Sequence, residues 1–316
     1  IKKDISIFAL SSRQFALIIP EKYNTKEIAE KIKERFENSF AFDKMHLTVK
    51  LAARICCIQN TRQINSMNDL FNIIDYSMGK NKKNKETCII EVSPEVLDKQ
   101  KREFNISLAL SNAIARKSFQ VYYQPVYNAK NNRFIGLEAL VRLKDSNLGM
   151  ISPEEFIPLA EKDGSIIAIG EIVLEKVCKF VEQYHPEDFG IKSVNINLST
   201  IQCMQENSIY KLTSITNDYR IPKGFINFEI TEQTGENILN FENIIAECNK
   251  KGINFTLDNY GAGHCSQCNL LNYNYSSVKI DKSRIWNCEL DEKCQISLKH
   301  TVSMLTELGM TVIAQG

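Results

Sequence analysis

The chain has 316 residues, 43% of them hydrophobic and 24% charged, with a formal net charge of +1. That length suffices for two ordinary domains, or for one barrel with a partner domain. The balanced charge supplies no global field to draw nucleic acid or an anionic membrane, and the basic run Lys80-Asn81-Lys82-Lys83-Asn84-Lys85 has no interleaved aromatic residue, so it reads as a solvated loop and no nucleic-acid partner is expected.

In chain order, Ile5 to Leu10 and Phe15 to Ile19 are apolar runs joined by Ser11-Ser12-Arg13-Gln14, the pattern of a β-hairpin. Thr25 to Phe40 places Ile28, Ile32, Phe36 and Phe40 at helical spacing. Leu47 to Ile58 reads as one strand, Asn68 to Met78 as a helix and Cys88 to Val92 as a short strand. Residues 1–94 therefore suit half of an α+β domain. Glu95 to Lys117 is a long helical pattern, and residues 95–118 serve as a connector. No stretch reaches the roughly 20 apolar residues of a membrane-spanning helix; the most apolar one, Ile166 to Leu174, contains Gly170 and Glu171.

From Phe119 strands alternate with helices. Strands are expected at Phe119 to Val126, Phe134 to Leu143, Val194 to Leu198, Ile226 to Ile230, Asn254 to Leu257, Ser277 to Ile280 and Thr311 to Ala314. Helices are expected at Pro153 to Lys162, behind a Ser152 N-cap, and at Ile166 to Tyr184, Asn237 to Lys250 and Glu292 to Leu308. This rhythm fits a β/α barrel or a doubly wound sheet.

Polar residues recur in or just after these strands: Glu138, Asn197, Glu229 with Glu232 beyond it, Asp258 followed by Asn259, Lys279 and Gln315. Any one acid at a strand end is readily explained as a helix cap or an ion-pair partner. A polar residue in strand after strand is not. In a barrel they converge on one mouth, and several carboxylates with an amide suit a hard divalent cation.

Ordered motifs sharpen this reading. Tyr123-Gln124-Pro125-Val126, Glu138-Ala139-Leu140-Val141-Arg142, Asn195-Ile196-Asn197-Leu198-Ser199, Phe228-Glu229-Ile230-Thr231-Glu232 and Val278-Lys279-Ile280-Asp281 follow one another in the order of the blocks of an EAL domain. Residues 119–316 resemble that family of cyclic di-GMP phosphodiesterases, truncated before the last strand of a TIM-like (β/α)8 barrel. The resemblance implies a two-metal hydrolase that opens cyclic di-GMP to pGpG. It implies Glu138, Asn197, Glu229 and Asp258 as ligands of a first Mg or Mn, and Lys279 beside the attacking water. It implies Glu232 as a brace for the loop after the fifth strand, with Gln124, Arg142 and Asp281 on the substrate side. It also implies a homodimer formed through the EAL domain.

Two positions depart from the family. The usual tandem aspartates are Asp258-Asn259, and the usual Ala-Glu-Gly is Ala314-Gln315-Gly316. Both changes are isosteric amides at the acids that hold the second metal, which puts that metal in question. One metal and the nucleotide are expected to bind, with slow turnover or none; the alternative is an active phosphodiesterase that tolerates both amides. The hairpin Ser11-Ser12-Arg13-Gln14-Phe15 is similar to the GGDEF turn of diguanylate cyclases with its glycines and acids replaced, so cyclase activity is not expected. The chain thus reads as a piece of a bacterial GGDEF–EAL protein, a cytoplasmic part with an unknown sensor, and any membrane anchor, upstream. A third reading makes the protein zinc- or redox-regulated through Cys265 and Cys268, beside His264, although the ten cysteines show no recognised zinc spacing.

Overall fold

The computed structural model describes residues 4–42, 47–59, 64, 66–80, 86–205, 208–231, 241–262, 270, 273–288 and 291–315. The chain divides into two compact units, Ile1–Phe104 and Asn105–Gly316. A family-independent landmark lies near that division: the helix Pro94–Arg116, whose end is set by Lys117 at φ 49° and by Ser118 N–H donating to the Ala113 carbonyl. That is a left-handed C-terminal cap closing the last turn.

The first unit carries six short strands: β1 Ser6–Ser11, β2 Gln14–Ile18, β3 Phe40–Phe42, β4 Leu47–Val49, β5 Arg54–Cys57 and β6 Cys88–Glu91. They pair two by two, β1 with β2 and β3 with β4 antiparallel, β5 with β6 parallel. The β1–β2 hairpin turns between Ser11 and Gln14, which lie opposite each other. Leu47 to Ile58 is not one strand: its halves pair with different neighbours, β3 and β6, and residues 50–53 between them belong to neither strand. The first helix, Thr25–Glu37, stops short of Phe40 because Asn38 is extended and its side chain donates to the Glu34 carbonyl; Phe40 opens β3 instead. This unit buries few large side chains among the described residues, chiefly Ile5, Ile73 and Leu97.

The second unit is a TIM-like α/β barrel. Its strands are β7 Gln120–Asn128, β8 Arg133–Asp145, β9 Gly149–Ile151, β10 Ser193–Asn197, β11 Ile226–Thr231, β12 Ile253–Tyr260, β13 Ser277–Ile280 and β14 Thr311–Ala314. They form one sheet in the order β14-β13-β12-β11-β10-β8-β7, with β9 on the side of β8. Along the path β8, β10, β11, β12, β13 and β14 the neighbours are parallel, whereas β9 pairs β8 antiparallel and β7 and β8 form an antiparallel hairpin, which strand alternation alone did not anticipate.

Side-chain alternation splits each strand between two environments. Ala139 and Leu143 of β8, Val194 and Ile196 of β10, Phe228 and Ile230 of β11, Phe255 and Leu257 of β12 and Val278 of β13 all join the main core. Helical residues such as Phe156, Val177 and Ile245 cover that outer face. Each large apolar side chain buried there stabilises the fold by about 1.5–3 kcal/mol. The opposite parity carries Glu138, Asn195 and Asn197, Asn227 and Glu229, Thr256 and Asp258, Ser277 and Lys279. The barrel interior is therefore lined with polar side chains, and the fold places them on adjacent strands.

Candidate active site

Lys279 stands at the centre of these interior residues. Its Nζ lies 2.6 Å from Glu138 Oε2, 3.0 Å from Glu229 Oε2 and 3.7 Å from Asp258 Oδ1, with only 4% of its side chain exposed. Strand register brings these groups together: Glu138 lies opposite Asn195, Asn197 opposite Glu229, and Thr231 opposite Asp258.

Amides take up the remaining carboxylate oxygens. Asn195 Nδ2 donates to Glu229 Oε1 at 2.8 Å, and Asn197 Nδ2 to Glu138 Oε1 at 3.3 Å. Gln315 Nε2 donates to Asp258 Oδ1 at 2.7 Å, and Asn259 Nδ2 to Asp258 Oδ2 at 3.1 Å. Asn227 in turn donates to Asn195 Oδ1 at 3.1 Å. Every oxygen of the three acids thus meets an N–H donor. Burial is the largest influence on Glu229 and pushes it up to about 7; Lys279 pulls against that, and the neighbouring acids add to it. Asp258 is raised for the same leading reason. For Lys279 burial works against the charge, but the three carboxylates outweigh it and hold the ammonium above its usual range.

The donor set fits a hard divalent cation. Three carboxyl groups converge on one cationic centre with an amide beside them, and burial with a single ammonium for three acids is what raises Glu229 and Asp258, a strain that a divalent ion would relieve. Glu138, Asn197, Glu229 and Asp258 would hold such an ion once Lys279 withdraws. A second ion fits poorly. Asn259 and Gln315, the two positions that would supply its charge, both spend an N–H on Asp258 and bring no negative charge of their own. Among the described residues no group of three or more His, Cys, Asp or Glu side chains is arranged to hold a metal as the side chains stand.

The other expected site residues fall as follows. Gln124 lies opposite Glu138 in the β7–β8 register. Arg142 donates to the Val141 carbonyl at 2.9 Å and lies over the Tyr122 ring. Asp281 caps the helix Lys282–Asn287 by accepting from Ser283 N–H, a structural task that accounts for its carboxylate on its own. Asn259 takes a left-handed backbone, φ 55°, which asparagine tolerates better than most residues. Ser11, Ser12, Arg13, Gln14 and Phe15 form the exposed β1–β2 turn. Glu232, His264, Cys265 and Cys268 lie outside the described residues. Asn195 and Asn227 were missed as site residues; an asparagine of inward parity within an otherwise apolar strand was the available signal.

The EAL domain family model matches residues 107–316. The chain belongs to the EAL domain family. Among curated proteins it is 27% identical over 290 residues to the signaling protein YkoW of Bacillus subtilis, covering 92% of this chain and 36% of that protein. The chain spans between about a quarter and just over half of the length of the curated relatives it matches. Among solved structures, an MucR phosphodiesterase in complex with c-di-GMP, a protein of Pseudomonas aeruginosa, aligns with a TM-score of 0.62 at 26% identity, over 67% of this chain and 86% of that one. The S helix-GGDEF-EAL portion of Vibrio cholerae LapD, bound to c-di-GMP, aligns over 100% of this chain and 74% of that one, with a TM-score of 0.62 and 19% identity, a likeness of fold. EAL phosphodiesterases as a group depend on divalent metal.

Proposed function

We propose that this EAL chain is a cyclic di-GMP signalling module that binds the nucleotide with at most one divalent ion and hydrolyses it slowly or not at all. One observation carries this reading: Asp258, the acid that would bridge toward a second metal, is clamped by the N–H groups of Asn259 and Gln315. A divalent cation held by Glu138, Asn197, Glu229 and Asp258 would polarise a phosphoryl oxygen and lower the pKa of a bound water.

The chain's own residues set the rest. Glu138 and Glu229 would hold the ion from β8 and β11, the two strands that flank β10. The carboxylates of Glu229, Asp258 and Glu138 favour the charged form of Lys279 in the ion-free cluster, where it is a donor and not a base. An amide at 259 or 315 neither neutralises charge nor accepts a proton. Losing a charge-bearing contact to the transition state typically costs on the order of 100-fold or more in rate.

A second reading, an active phosphodiesterase, is favoured by the three intact carboxylates and by the phosphodiesterase name of the MucR structure. For residues 1–94 we adopt a degenerate GGDEF-like assignment, supported by the hairpin at Ser11 to Phe15 and by the whole-chain likeness to LapD. Calorimetric titration with cyclic di-GMP in Ca, followed by product analysis in Mg, separates the two activities. Saturable binding with little pGpG supports the module; rapid, metal-dependent accumulation of pGpG supports the enzyme.

A further inference from the structure

We infer that Tyr122 is a base-stacking residue of this site, a ring on which one purine of the bound cyclic dinucleotide rests. The inference builds on the binding reading above. In the β7–β8 hairpin, Gln124 lies opposite Glu138, Tyr122 opposite Leu140 and Gln120 opposite Arg142. Residues opposite one another in an antiparallel pair share a face. Tyr122 therefore faces the same way as Glu138, into the barrel interior.

Its neighbour Tyr123 goes the other way and is stacked on Phe180 of the covering helix Ile166–Tyr184, ring centroids 4.1 Å apart. Tyr123 is thus a packing residue. Tyr122 is 52% exposed although it sits on the face that carries the acid cluster. The Arg142 guanidinium lies 5.4 Å from the Tyr122 ring centroid and is itself tied to the Val141 carbonyl. That contact orients the ring by a cation–π attraction and leaves most of its remaining surface open.

Spacing supports the assignment. A strand rises about 3.4 Å per residue, so the Tyr122–Leu140 pair stands about 7 Å from the Gln124–Glu138 pair. A phosphodiester at the acid cluster would then have an aromatic ring, an aliphatic side chain and a guanidinium beside it, which is the chemistry that holds a base by its flat face.

Binding of cyclic di-GMP by the 316-residue chain, by Tyr122→Ala and by Tyr122→Phe tests this. Stacking predicts that Tyr122→Ala weakens binding on the order of 10- to 100-fold, and that Tyr122→Phe binds as the wild type does. The exposed ring should leave the unfolding midpoint of both variants close to that of the wild type. A cyclic dinucleotide carrying 2-aminopurine in place of guanine gives a direct readout: its fluorescence should fall on the wild type and much less on Tyr122→Ala at saturation. Equal affinity of wild type and Tyr122→Ala would overturn the stacking role and leave the binding reading intact. So would an equal loss in Tyr122→Phe, which would point to the hydroxyl. A wild type that binds no cyclic di-GMP would overturn the binding reading and the stacking role with it.

Discussion

Lys279 occupies the position that a cation must fill if Glu138, Glu229 and Asp258 are to stand within 4 Å of one point. Its removal would leave buried acids facing one another, and stripping one partner from a buried ion pair typically costs about 3–5 kcal/mol. Lys279→Met is therefore expected to lower the unfolding midpoint sharply in metal-free buffer. Mg or Mn should restore much of that loss, because the ion takes over the ammonium's task. Thermal unfolding with and without added metal checks this; a variant as stable as the wild type in chelator would show that the acids need no counter-charge. At this scale the sequence was partly legible. Glu138, Asn197, Glu229, Asp258 and Lys279 were readable from ordered motifs. The direction of their hydrogen bonds was not, because Asn259 and Gln315 act through an N–H aimed at Asp258, and no spacing encodes which end of an amide points inward.

At the scale of elements, the helix Ile166–Tyr184 was legible to its ends because its apolar positions recur with helical period and Gly164 precedes it in a left-handed cap. The strand-and-helix rhythm of residues 119–316 was legible for a similar reason: parallel strands covered on one face by helices leave short apolar runs. The antiparallel β7–β8 pairing was not, since both strands alternate as any strand does and only pairing reveals direction. Nor was the division of Leu47 to Ile58, whose apolar run continues through a change of partner. One contact on the long helix carries a pH signature. Glu175 accepts from Lys117 at 2.8 Å and Lys179 at 2.6 Å, and these two lysines hold its carboxyl down to about 2. A carboxylate whose pKa is depressed on folding contributes stability above its ordinary value near 4.5, and that contribution is lost as pH falls toward 2. Both lysines are largely exposed, so solvent screening limits the effect to about 0.5–1 kcal/mol. Denaturant midpoints of Glu175→Gln should thus trail the wild type at pH 7 and converge with it as the pH drops below 4.5. A gap that stays constant with pH would contradict the assignment.

For the whole molecule, the acid cluster lies entirely within the unit Asn105–Gly316, together with the EAL match. The unit Ile1–Phe104 contributes none of the cluster's residues. On the proposed reading, the choice between binding and turnover turns on two amides of the barrel unit, Asn259 and Gln315. The most direct measurement is the steady-state rate of cyclic di-GMP hydrolysis in Mg, for the wild type and for the double variant Asn259→Asp with Gln315→Glu. Restoring two negative charges beside Asp258 should create a place for the second ion, and the variant is expected to exceed the wild type on the order of 100-fold or more. A wild type that already hydrolyses cyclic di-GMP as fast as the double variant would contradict it.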